Sequence, residues 1–112
     1  MNIQIFGTTK GFDTKKAERF FKERGIKYQF INMNEKGISR GELLSVLSNV
    51  SMEELLDEKT KDKTNLALLE YLSDDDKIEK LLECQHLIRT PIVRNGKQAT
   101  IGYKPEIWKN WQ

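Results

Sequence analysis

The 112-residue sequence predicts an α/β protein built on one four-stranded mixed sheet, and three stretches of the chain lead to this prediction. Residues 1–32 have the pattern of a β-α-β unit, residues 39–86 are helical, and residues 90–112 have the pattern of a β-β-α unit. Short links make the strands of a β-α-β unit parallel, whereas a hairpin makes its strands antiparallel. We therefore expect residues 1–112 to form a single domain in which a helical insertion separates the two halves of the sheet.

The first unit is predicted from two strand-like segments and the helical pattern between them. The segment "NIQIF" alternates and is rich in β-forming residues, and "IKYQFIN" has the same character. Between them, Phe20 and Phe21 belong to an apolar face at helical spacing. Asp13 or Thr14 is expected to cap this helix, and Gly25 is expected to end it.

The later elements are marked by capping and turn residues. The segments "SRGE" from Ser39 and "SMEE" from Ser51 are capping boxes, and each precedes apolar residues of a helix. The segments "TNLALLEYL" and "SDDDKIEKLLE" extend the helical block. Asn95-Gly96 stands between two short β-like runs and predicts a hairpin. Pro105 suits the first turn of a last helix.

Composition and charge exclude several classes of protein. Hydrophobic residues make up 38% of the chain and charged residues 32%, and 19 basic residues stand against 17 acidic residues. No basic stripe predicts direct binding of nucleic acid, and no apolar run is long enough for a membrane span. The first residues lack the pattern of a signal peptide. Cys84 is the single cysteine, so an internal disulfide is ruled out, and we expect a cytoplasmic protein.

Three segments resemble the arsenate reductase-like (ArsC/Spx) family of the thioredoxin-like superfamily. They are "FGTTKGFDTKKAERFFKERGIKYQFINM", "GISRGELLSVL" and "LIRTPIVRNGKQATIGYKPEIWK", of which the last is the most specific. The resemblance implies a thioredoxin-like, glutaredoxin-type fold with inserted helices. It also implies that Pro91 follows a cis peptide bond and faces the turn before the first helix. In the family, that turn holds a reactive cysteine.

The family's functional residues do not all have a counterpart in this chain. Aligning the family's basic pair and alanine places Gly11 at the reactive cysteine and Thr14 where some members have a second cysteine. An alignment shifted by one residue places Phe12 at the position of the reactive cysteine, and phenylalanine is not a nucleophile either. The family's arginine before the proline is Thr90, and Arg89 stands one position earlier. Strand alternation would point Arg89 to the other face. The resemblance thus implies a member without catalytic residues at this turn.

The turn keeps features that favour binding of an anion. A helix N-terminus binds anions through its free N–H groups, and glycine allows close approach to the backbone. Phosphate, sulfate or glutathione are the ligands we consider. The candidate ligand-binding residues are Thr8, Thr9, Lys10, Gly11, Phe12, Lys15, Arg89, Thr90 and Pro91. The alternative is a plain strand–helix connection with a solvated lysine and a proline that only shapes the entry to the strand.

Cys84 and His86 are interpreted as structural or exposed residues. Cys84 falls at the margin of an apolar helix face, so a partly exposed, inert thiol is the favoured interpretation. His86 follows a helix end, where capping or plain exposure is expected. One cysteine and one histidine do not supply the three or four ligands of a typical metal site. We therefore predict no metal and no cofactor, with glutathione as the single candidate.

Three functions remain open at the level of the sequence. The first is a redox-family protein that has lost its reductase activity and binds a small anion or a thiol ligand. The second is an Spx-like transcriptional regulator or protein-interaction module with RNA polymerase as its partner, although "LSNVSMEELL" is shorter than the corresponding region of those regulators. The third is an active arsenate or disulfide reductase that uses Cys84 or a partner's thiol.

Overall fold

Four strands form one mixed sheet in the order β2-β1-β3-β4. The computed structural model describes all of residues 1–112. Strand β1 pairs in parallel with β2 and antiparallel with β3, and β3 pairs antiparallel with β4. The strands are β1 (Ile3–Gly7), β2 (Tyr28–Asn32), β3 (Ile92–Asn95) and β4 (Gln98–Ile101). The predicted fold class is therefore confirmed.

Six helices surround the sheet, and four of them come between β2 and β3 in the order of the chain. Both predicted capping boxes are present, at Ser39 and at Ser51. Two 3₁₀ turns, Leu69–Tyr71 and Gln85–Leu87, complete the helical block. None of the helices combines the length and apolar character that crossing a membrane requires. The helices are α1 (Phe12–Glu23), α2 (Arg40–Leu47), α3 (Met52–Leu55), α4 (Lys63–Leu68), α5 (Asp74–Glu83) and α6 (Pro105–Trp108).

The sheet separates two hydrophobic clusters because side chains alternate along each strand. Phe6 pairs with Ile92 and belongs to the larger cluster, together with buried residues of α2, α3 and α5. Ile5 pairs with Val93 and belongs to the smaller cluster, together with α1 and Trp108 of α6. Helices α1 and α6 therefore cover one face, and the inserted helices cover the other.

Helix α1 begins earlier than its polar residues suggest. Its N-cap is Gly11, which makes no side-chain capping bond, so the prediction that Asp13 or Thr14 caps the helix is wrong. Thr14 is buried against the end of β1, and Asp13 lies in the first turn. Gly25 ends the helix as predicted: its φ is 65° and its N–H donates to Lys22 O at 3.0 Å.

The predicted hairpin is present, but its loop lies one residue later than the Asn95-Gly96 pair. Asn95 is the last residue of β3 and pairs with Gln98, so Gly96 and Lys97 form the loop. The Asn95 side chain accepts from Asn2 N at 3.2 Å and donates to Gln112 O at 3.3 Å. These bonds to both ends of the chain hold Asn95 within the strand, and Gly96 supplies the positive φ of 59°.

Candidate functional site

The turn between β1 and α1 leaves three backbone N–H groups without an acceptor. Gly11 N donates to Thr8 O at 3.1 Å, and Lys15 N donates to Gly11 O at 3.1 Å. The N–H groups of residues 12–14 make no hydrogen bond within the chain, as is usual for a helix start without a cap. With the helix dipole, they favour a partner of negative charge at this point.

Thr14 is the buried polar residue of this turn. Its side chain is 1% exposed, and Oγ1 has no hydrogen-bond partner. A Cβ on Gly11 would lie 2.9 Å from Oγ1 of both Thr14 and Thr8. The two hydroxyls therefore flank the space where a side chain at position 11 would begin. A buried hydroxyl without a partner is unfavourable, so a bound group that accepts its hydrogen bond would stabilise the turn.

Beside this turn, a cavity of about 340 Å³ brings Asp13 together with Arg89 and Thr90. Two of the predicted site residues therefore do meet the first turn of α1. The lining has five carboxylates and two basic side chains, so this cavity is acidic. Its residues are Asp13, Glu53, Glu54, Leu56, Asp57, Glu58, Lys59, Arg89 and Thr90. No pattern in the sequence predicted that the acidic residues after Ser51 would approach the turn.

A short antiparallel bridge holds Arg89 in place. Leu56 pairs with Ile88, Arg89 N donates to Leu55 O at 2.8 Å, and Asp57 N donates to Leu87 O at 2.8 Å. The end of α3 is thereby fixed against the segment that leads into β3.

The residues after this bridge complete the wall of the site. The Thr90–Pro91 peptide bond is cis, as the resemblance predicts, and Gly102 N donates to Pro91 O at 2.8 Å. The guanidinium of Arg89 lies against Gly102, because a Cβ there would be 2.9 Å from Arg89 Nη2. Gly102 has a φ of 85°, so its backbone conformation favours glycine.

The other residues predicted for the ligand site do not line this cavity. Thr9 and Lys10 are exposed at the turn, and Lys15 points from the outer side of α1. Phe12 is 74% exposed, and the Nζ atom of Lys16 lies 4.7 Å from the centre of its ring. Pro91 is buried. Of the predicted set, Arg89 and Thr90 therefore line the cavity, Thr9, Lys10 and Phe12 lie on the surrounding surface, and Pro91 lies in the interior.

Cys84 does not lie at the start of the first helix, where the resemblance places the reactive cysteine. It is a free, partly buried cysteine at the C-terminal end of α5. It packs against the cluster on the face of the sheet opposite α1. No side chain at the α1 N-terminus has a sulfur atom.

His86 binds the residue that caps α4. Its Nε2 atom is 2.7 Å from Asp62 Oδ2, and Asp62 accepts from Asn65 N. Hydrogen bonds from the Asn65 side chain and from His86 lower the pKa of Asp62 to about 2. His86 therefore has a local structural contact, which the sequence reasoning did not specify.

The sheet order, the inserted helices and the cis proline before β3 define a thioredoxin-like fold. The glutaredoxin-like NrdH-redoxin of Escherichia coli is similar in fold, with a TM-score of 0.53, 13% identity and coverage of 100% of this chain and 96% of that chain. Residues 8–111 match the model of the ArsC family, so the chain belongs to that family.

Two other proteins are more similar to this chain in sequence than NrdH-redoxin is. Global transcriptional regulator Spx 2 of Oceanobacillus iheyensis is 29% identical over 111 residues, which cover 92% of this chain and 78% of the relative. The structure of arsenate reductase from Vibrio cholerae is 27% identical, with a TM-score of 0.81 and coverage of 96% of this chain and 94% of that chain. This chain is thus similar both to a protein named as an enzyme and to one named as a regulator.

Proposed function

We propose that this ArsC-family protein binds a small thiol-containing ligand, with glutathione as the model compound, and does not act as a thiol reductase. The binding site in this proposal is the α1 N-terminus together with the wall formed by Arg89 and Thr90. The observation on which the proposal depends is the buried, unpartnered hydroxyl of Thr14 next to three free N–H groups. A ligand carboxylate would accept hydrogen bonds from both.

The residues of the turn support the proposed loss of thiol chemistry. Reduction by a thiolate requires a cysteine whose pKa is lowered by a helix N-terminus or by nearby cations. Gly11 has no side chain, and a threonine hydroxyl is a poor nucleophile without a general base. The one histidine, His86, is bound to Asp62. These features support binding rather than catalysis at α1.

The acidic lining favours a ligand with charges of both signs. Five carboxylates oppose a free phosphate, sulfate or arsenate, because like charges at short range repel. Glutathione has an ammonium group as well as two carboxylates. Its ammonium would face the carboxylates that follow Ser51, while one carboxylate would face Arg89 and the helix start.

Titration of the backbone amides tests this proposal. Glutathione is expected to shift the amide signals of residues 12–14, and phosphate or arsenate at the same concentration is expected to shift them less. Thr14→Val keeps the shape of the side chain but removes the hydroxyl, so it should weaken binding. Thr64→Val changes an exposed threonine of α4 in the same way and should leave glutathione binding unchanged. Amide signals that stay fixed at millimolar glutathione would refute the proposed site.

A turnover assay tests the loss of catalysis separately. With glutathione or thioredoxin as reductant, we expect no reduction of arsenate. Turnover that Cys84→Ser abolishes would establish a reductase that uses a different thiol, and the non-catalytic assignment would then be wrong.

A second candidate function is a protein-interaction module of the Spx type. Two observations favour it: the similarity to global transcriptional regulator Spx 2, and a groove of about 740 Å³ formed by α3, α4 and the start of α5. Half of the ten residues that line the groove are apolar, among them Met52, Leu56 and Leu66, and the other half are charged. Tyr71, which follows the lining residue Glu70 in the chain, is 84% exposed. Purified RNA polymerase should bind the immobilised chain if this function is correct, and Leu66→Lys should abolish the binding. A lack of binding would exclude this partner.

A further inference from the structure

A second cavity, of about 370 Å³, lies on the outer side of α1 against the start of α6. It has no lining residue in common with the cavity at Arg89, so an inference from it does not rest on the proposed function. Its volume falls within the range of small-molecule sites, which is roughly 300–1,000 Å³. The lining residues are Lys16, Arg19, Phe20, Glu23, Arg24, Tyr103 and Pro105.

The net charge of this cavity is positive, and none of its basic side chains forms an ion pair within the chain. Three basic side chains line it with one carboxylate, that of Glu23. The ion pairs of the structure are Arg40–Glu79, His86–Asp62 and Arg94–Glu42, so none involves a residue of this cavity. Lys16, Arg19 and Arg24 are therefore available to an anion from outside.

Aromatic rings fix two of these cations. The Cζ atom of Arg24 lies 3.7 Å from the centre of the Phe20 ring, and its Nη1 donates to Phe20 O at 3.2 Å. The Nζ atom of Lys16 lies 5.5 Å from the centre of the Tyr103 ring. Such contacts hold a cation in place while its other donors stay free, which lowers the entropy lost on binding.

Tyr103 gives the cavity an aromatic wall with a set orientation. Its ring packs edge-on against Trp108, with centres 5.6 Å apart, and 38% of the residue remains exposed. An exposed aromatic face next to cations is suited to a planar ring that has an anionic group attached.

We propose that this cavity binds a small molecule in which a phosphate group is attached to an aromatic ring system, as in a nucleoside monophosphate. The phosphate would contact Arg19 and Arg24, whose guanidinium groups match its oxygens. The ring would stack on Tyr103. A nucleic acid strand fits less well, because it would need a continuous basic stripe, whereas Glu18 and Glu23 interrupt the basic residues of α1.

A titration with adenosine monophosphate, followed by the amides of α1 and the ring signals of Tyr103, tests this proposal. We expect saturable shifts of both sets, and inorganic phosphate and adenosine should each bind at least about tenfold more weakly, because each lacks one of the two contacts. The absence of shifts at millimolar nucleotide would overturn the proposal. Phosphate that binds as tightly as the nucleotide would overturn it too, since Tyr103 would then contribute nothing.

Two matched variants distinguish binding at this cavity from non-specific electrostatic attraction to the basic residues of α1. Arg19→Gln should weaken binding of adenosine monophosphate about tenfold, since it removes a charged hydrogen bond. Lys22→Gln makes the same charge change on α1 outside the cavity and should leave affinity within about twofold. Equal losses in both variants would overturn the proposal. A short single-stranded oligonucleotide that binds much more tightly than the mononucleotide would overturn the assignment to a small molecule.

Discussion

Thr14 occupies the space that a side chain on Gly7 would need. A Cβ on Gly7 would lie 2.5 Å from both Oγ1 and Cγ2 of Thr14, although the backbone of Gly7 is not in the left-handed region. Glycine is therefore required at the end of β1 because the first turn of α1 packs directly on its backbone. This contact sets the distance between the strand and the helix start on which the candidate site depends.

Gly7→Ala is expected to destabilise the protein by about 1–3 kcal/mol, because the added methyl group overpacks a buried contact. Denaturant unfolding measures the change. Combining it with Thr14→Ala should recover much of the loss, since the two atoms that clash are removed. Gly41→Ala is the control: it meets no atom within 4 Å in α2 and should be neutral or stabilising. A loss that is unchanged in the double variant would show that Thr14 is not the cause.

Gln85 connects the end of the helical block to the loop before α2. Its Oε1 accepts from Ile38 N at 2.8 Å and its Nε2 donates to Ile38 O at 2.9 Å, next to Gly37. Gln85→Glu replaces the donating amide with an oxygen, which would face the Ile38 carbonyl. We expect about 1–3 kcal/mol of lost stability in chemical denaturation. Gln29→Glu, on the exposed side of β2, should cost much less, and similar losses for both would contradict this account.

Local patterns were sufficient to predict most of the fold. The two strands of the β-α-β unit, the capping boxes at Ser39 and Ser51 and the position of Pro105 depend on neighbouring residues, and the structure has all of them. The cap of α1 could not be found in this way. Residue type favours Asp13 or Thr14 as the cap, but packing of Thr14 on β1 is a tertiary contact that overrides this preference.

The candidate site was only partly predictable for the same reason. Strand alternation would point Arg89 away from the turn, but Arg89 precedes β3, so the alternation does not apply to it. The bridge between Leu56 and Ile88, which positions it, joins segments far apart in the chain. Neither that bridge nor the acidic lining of the cavity has a signature in local sequence. The residues at the turn could be predicted, whereas their neighbours from α3 could not.

Tyr28 should lose its proton only at high pH, and the stability of the protein should fall when it does. Burial, a hydrogen bond to Glu18 and the charge of Glu18 together raise the pKa of Tyr28 to about 12. Its Oη donates to Glu18 Oε1 at 2.9 Å, which links β2 to α1. Because the folded pKa lies above the unfolded value of about 10, the protonated tyrosine stabilises the fold below pH 10. This contribution is lost as the pH rises from about 10 through about 12.

Thermal unfolding across this pH window checks the prediction. Tyr28→Phe should show a smaller fall in melting temperature between about pH 10 and pH 12 than the unchanged chain. Tyr71→Phe removes an exposed phenol and should keep the larger fall. Curves for Tyr28→Phe that run parallel to those of the unchanged chain would refute the role of this tyrosine.

Introducing a thiol at the start of α1 tests whether the electrostatics of the turn favour an anion. In Gly11→Cys combined with Cys84→Ser, the α1 N-terminus should stabilise the thiolate, so alkylation should proceed at a lower pH than for an ordinary exposed cysteine. Gln29→Cys, at an exposed position in β2 away from any helix end, with the same Cys84 change is the matched control. The new Cβ must displace the hydroxyls of Thr8 and Thr14, so a stability loss of about 1–3 kcal/mol should accompany the reactivity. Identical pH profiles for the two variants would mean that this helix start does not stabilise negative charge, and the proposed ligand site would lose its physical basis.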